Sequence, residues 1–107
     1  MKKSEIFASV LADVSAETEI DSERILSESK VEEVVDARYL VIYLLMRNGF
    51  YPRMIAERMR MSQRAVRKAH AGFETRLEGS AGLRLSFLRL SATWLKQKGT
   101  EREPDRN

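Results

Sequence analysis

Cysteine is absent from this chain of 107 residues. That excludes disulfides and thiolate metal sites, and it suits a reducing cytoplasm. Histidine occurs once, as His70, so a histidine metal cluster is excluded too. Long hydrophobic runs are missing. The most apolar stretch, Val34–Met46, is broken by Asp36 and Arg38, well short of the roughly 18 residues of a membrane span. Met1-Lys2-Lys3 runs into Ser4-Glu5 with no apolar core behind it, so neither a signal peptide nor a membrane partner is expected. The one close pair of glycines, in Gly79-Ser80-Ala81-Gly82, lacks the Gly-Lys-Ser/Thr ending and the preceding strand of a phosphate loop. Nothing else resembles an active site, and the expectation is a non-enzyme with no cofactor and no small-molecule substrate. Alternating polar and apolar residues are also lacking, which leaves no β pattern.

What is present is charge, unevenly placed. Through Asp36 there are four basic residues and ten acidic ones. From Ala37 onward there are fifteen basic and six acidic, so the two parts carry about −6 and +9. A chain divided this way presents its basic part to something anionic, and nucleic acid is the leading candidate. A dipolar surface that merely aids solubility is the plain alternative.

The basic part centres on Tyr51–Phe73, which reads as two short helices joined by a tight turn. Pro52 suits a first helical position, where its missing N–H has no intrahelical use. Ile55, Ala56 and Met59 share one face. Ser62 is placed to cap the second helix through its hydroxyl. Val66, Ala69 and Phe73 then repeat at helical spacing, with Gln63, Arg64, Arg67 and Lys68 on the other side. This is the layout of a helix-turn-helix, whose second helix enters the major groove with its N-terminal residues forward. The small residue early in the first helix is Ala56. The usual glycine of the turn is missing, with Arg60 or its neighbour in its place, and because a left-handed conformation costs such a residue about 1 kcal/mol or more, a turn that differs in detail is expected. The bland reading is a helical hairpin with a solvated basic face.

Around this motif the pattern predicts about six helices. Ser4 caps a first helix facing Ile6, Phe7, Val10, Leu11 and Val14 inward, and Ser15–Ile20 is a connection. Asp21 caps a short helix with Ile25 and Leu26. The longest helix, Val31 to Arg47, is apolar on most sides, ends at Asn48-Gly49 and should be the most buried. The acidic face of Glu32, Glu33 and Asp36 should be solvated, and Tyr39 and Tyr43 should pack at the core edge. The second helix of the motif should run on past Gly72 to Leu77. A last helix, Leu83 to Lys98, carries a stripe of Leu83, Phe87, Leu90 and Trp94, with Leu88 and Leu95 beside them, that either caps the core or pairs with a twin, leaving a homodimer open. Residues 1–98 then make one all-α domain, and the polar residues 99–107 a disordered tail.

The run from Ile25 to Leu44, with its Leu26-Ser27 opening and its Ala37-Arg38 helix, resembles the DNA-binding domain of the bacterial chromosomal replication initiator, DnaA. The resemblance spans roughly Ile6 to Leu77 and implies a Trp-repressor-like helical fold that binds double-stranded DNA. Two features depart from that family. Ser62-Gln63-Arg64-Ala65 stands where the family has an Asp-His-Thr-Thr type opening, and the loop before the long helix keeps only Lys30 of its basic residues. No nucleotide-binding module is present in this short chain.

The expectation is therefore a double-stranded-DNA-binding regulator of transcription or replication. Gln63, Arg64 and Arg67 would read base edges. Lys30, Arg53, Arg58, Arg60, Ser62, Lys68 and His70 would hold phosphates. The competing class is a protein-interaction module docking through the C-terminal amphipathic helix.

Overall fold

The computed structural model describes residues 1–95. The expected tail, 99–107, and the last turn of the C-terminal helix lie outside the described residues. Seven helices follow one another: α1 (Lys3–Thr18), α2 (Ser22–Ile25), α3 (Glu32–Arg47), α4 (Pro52–Met59), α5 (Gln63–Ala71), α6 (Phe73–Glu78) and α7 (Ala81–Trp94). Among the described residues there is no strand, and the fold is all-α.

Helix α3 is the axis of the packing because its sequence leaves it almost no solvent side. Val34, Leu40, Val41, Ile42, Leu44 and Leu45 are fully buried, and every other helix packs against it. It stops where expected. Gly49 takes a positive φ of 91°, and the Phe50 N–H returns to the Leu45 carbonyl at 3.1 Å. The reversal sends Phe50 back into the core and aims the chain toward α4.

Local chemistry corrects several expected boundaries. Ser4 does not cap α1: it lies inside the helix, and Glu5 instead accepts from the Lys2 N–H at 2.9 Å. The expected connection Ser15–Ile20 is mostly helix, α1 running to Thr18, and the Thr18 and Ser15 hydroxyls donate to the Val14 and Ile20 carbonyls rather than breaking it. Glu19, at φ 62°, then closes it. Asp21 stands at the start of α2, yet its side chain makes no capping bond. The second helix of the motif does not run unbroken to Leu77. It stops at Ala71 and resumes at Phe73, which is why seven helices stand where six were counted. Gly72 between them is the poorest helix former after proline. The break lets Phe73 turn inward and stack on Tyr43, ring centroids 4.3 Å apart. At the other end Ser80 accepts from the Leu83 N–H at 3.1 Å, so α7 starts two residues before Leu83 and runs through Gly82.

The stripe on α7 covers the domain's own core, except that Leu88, expected beside it, is exposed, because at 100° a residue it falls well round the helix from Leu83 and Leu90. Leu83 and Leu90 are buried, and Phe87 packs edge-on against Tyr43 and Phe73. The Trp94 indole N–H donates to Asp13 of α1 at 3.0 Å. Nor is the acidic face of α3 simply solvated. Asp36 accepts from Arg76 at 2.7 Å and from the Ser80 hydroxyl at 3.0 Å, and Glu32 takes a second Arg76 nitrogen at 3.1 Å. Those bonds tie α6 and the start of α7 to α3.

Candidate nucleic-acid interface

Helices α4 and α5 pack on each other through Ile55, Ala56, Met59, Val66 and Ala69, all buried. Ala56 matters because a larger side chain would hold the two axes apart. The turn between them is made without glycine: Arg60 takes the left-handed conformation, φ 59° and ψ 45°, and its N–H bonds to the Ala56 carbonyl. The Met61 N–H reaches the same carbonyl at 3.0 Å. Ser62 then starts α5 with its hydroxyl accepting from the Ala65 N–H at 3.0 Å. Turn, cap and apolar faces all stand where the sequence puts them.

Burying Val66 and Ala69 turns the opposite face of α5 to solvent, so Gln63, Arg64, Arg67 and Lys68 are all exposed. Arg67 makes one long contact to Gln63, 3.4 Å one turn back. Among the described residues none of Arg53, Arg60, Arg64, Arg67 or Lys68 forms an ion pair with a carboxylate. Arg53, at the start of α4, and Arg60, in the turn, are exposed beside that face. Lys30 comes from the loop before α3 and shares a cleft with Arg60 and Ser62.

Two of the expected phosphate ligands are placed differently from the rest. Arg58 is half-buried and lies over the Phe50 ring, 5.7 Å from its centroid. His70 is half-buried and stacks on Tyr43 at 5.7 Å. Both spend one face on the core edge, unlike the open side chains of Arg53 and Arg64.

Sequence reasoning missed Arg38. It is only 9% exposed, the one charged residue buried among those described. Its Nε donates to the Ile25 carbonyl at 2.9 Å, which pins the α2–α3 loop. Its Nη2 is buried and has no hydrogen-bond partner. Burial holds the guanidinium below its ordinary value, an effect opposed by the nearby Tyr39. The group lines a cleft of about 360 Å³ with Lys30, Arg60, Ser62 and one carboxylate, Glu28, at the mouth of the turn. A buried cation with an idle donor is costly unless something negative meets it. The available signal was positional: Arg38 is a charge on the otherwise apolar side of the most buried helix.

No helix among the described residues is long and apolar enough to cross a membrane. No protein-family model, no curated protein and no solved structure matches this chain.

Proposed function

We propose that the chain binds double-stranded DNA, laying α5 in the major groove as the second helix of a helix-turn-helix and acting as a regulator of transcription or replication. The observation that carries this reading is the pairing of a tightly packed α4–α5 unit with an outer face of exposed, unpaired cations. In this reading Arg64 and Gln63, on the first turn of α5, meet base edges, where arginine suits guanine and glutamine suits adenine. Arg67 follows one turn later. Arg53, Arg60, Lys68 and Lys30 meet the sugar-phosphate backbone and set the register. Arg38, which lines the same cleft as Lys30, Arg60 and Ser62, adds its positive charge behind them. The likeness of Ile25–Leu44 to the replication initiator's DNA-binding domain supports the same reading.

The competing class, a protein-interaction module, loses the face first assigned to it, since Leu83 and Leu90 are buried in the core. Any docking through α7 has to use another side of that helix.

The test is a selection from random duplexes on the purified full chain, followed by sequencing and competition with unrelated DNA. Enrichment of one motif, bound more tightly than bulk duplex, is expected. Binding that bulk duplex displaces equally well would reduce the reading to a nonspecific basic surface, and no binding would remove it.

A further inference from the structure

Helix α7 has a second apolar stripe, and it faces away from the core. Ala81, Leu85, Leu88 and Ala92 are exposed, Leu85 by 48% and Leu88 by 70%. They lie four, three and four residues apart, the heptad spacing of a coiled-coil seam, and none of them is charged. On a helix of 3.6 residues per turn this line falls almost diametrically opposite Leu83, Phe87, Leu90 and Trp94.

We propose that this stripe is the seam of a homodimer in which two copies of α7 pack antiparallel about a two-fold axis. The pattern is the same read in either direction. With the axis between Ser86 and Phe87, Leu85 of one copy faces Leu88 of the other, and Ala81 faces Ala92. A two-fold contact requires that self-complementarity. The small residues at both ends let the helices approach while the leucines fill the middle. The flanking charges do not oppose the pairing. Arg84 is held by the Leu77 and Glu78 carbonyls at 2.7 and 2.9 Å, and Arg89 by Glu17 at 3.0 Å. Each copy thus brings its own counter-partners.

Other occupants fit less well. The outward face of α5 carries Gln63, Arg64, Arg67 and Lys68 and has no large apolar side chain to set against the leucines. The chain's own residues 96–107 are polar throughout in sequence, apart from Pro104 and Gly99. Two heptads make too short a seam for an isolated coiled coil, but α7 is already held helical by the domain beneath it. The area involved, roughly 400 Å² a side, is below the roughly 1,000 Å² in total of a stable interface, so the dimer is weak and transient. The proposal stands independently of the DNA reading, since α7 and α5 share no contact.

Sedimentation of the full chain over a concentration series tests it. A reversible dimer should form by about 1 mM. Leu88→Glu should weaken it at least tenfold while leaving the melting temperature within about 2 °C, because Leu88 is mostly exposed in the monomer. The register is tested by mixing Leu85→Cys with Leu88→Cys in a chain that has no other thiol. Mixed disulfides between the two variants should outnumber like-with-like ones. A chain that stays monomeric at that concentration, or a dimer indifferent to Leu88→Glu, overturns the seam. A preponderance of like-with-like disulfides overturns the antiparallel arrangement.

Discussion

The carboxylates around α3 and the cations around α5 are both charged surfaces of one small domain, yet they are built on opposite terms. Asp36, Glu32 and Glu17 are each engaged by an arginine of a distant helix, and Ser80 adds a hydroxyl to Asp36. Their charges are spent on joining α1, α3, α6 and α7. Arg53, Arg60, Arg64 and Lys68 join nothing among the described residues, and exposed arginines of that kind add little to stability. The difference teaches where to look for function on this surface. Charge that the fold already uses explains itself, whereas charge held out on a rigid helix calls for a partner.

The strongest way to break this comparison is Asp36→Ala, which leaves Arg76 only the exposed Glu32 as a carboxylate partner and removes an acceptor from Ser80. The Asp36 side chain is 13% exposed and that of Arg76 24%, so the loss should be about 2–3 kcal/mol of folding stability. Chemical denaturation would read it, with affinity for DNA unchanged at temperatures where the fold persists. Arg64→Ala is the mirror experiment. It should leave unfolding within about 0.5 kcal/mol of the parent but cost roughly 1–3 kcal/mol on the preferred duplex and relax one base position. Equal losses on specific and random DNA would remove Arg64 from base reading.

Ser62→Ala touches both regions' logic at once, since it deletes the cap at the head of α5, the helix that carries the exposed cations. About 1 kcal/mol of stability should go, seen as a lower melting temperature. The smallest effect expected is from Arg60→Gly. Relief of the left-handed turn should add about 0.5–1 kcal/mol to stability, while the lost cation lowers the salt dependence of DNA binding by about one unit. A glycine variant that is less stable than the parent would mean that the Arg60 side chain does structural work not visible in its contacts.

Much of this was legible in the sequence because each signal was local. The buried α3, the Gly49 stop, the Ser62 cap, the glycine-free turn at Arg60 and the exposed row from Gln63 to Lys68 follow from spacing and from single-residue backbone preferences. What the sequence withheld depends on residues far apart in the chain. Asp36 reads as surface until Arg76, forty positions later, is folded over it. That His70 stacks on Tyr43 and Arg58 lies over Phe50 is equally invisible in the sequence, since each pair is joined only by the fold. Arg38 reads as a blemish in an apolar helix, and only the fold reveals a buried cation with an idle nitrogen behind the cleft that Lys30, Arg60 and Ser62 share. The break at Gly72 was missed for a similar reason. Helical periodicity continues across it, and the pull that interrupts it is Phe73 stacking on a residue thirty positions earlier.

Trp94 is the chain's single tryptophan, and its indole is fastened to Asp13 where the first and last described helices meet. The molecule therefore carries one bright fluorophore, on a helix that makes no contact with α5. Its emission would report whether α7 still lies on α1, and duplex docking along α5 should leave it dark to the titration. A spectral shift on adding DNA would thus be a message relayed through α3, which touches both helices, and would mark the domain as one that feels its ligand at a distance.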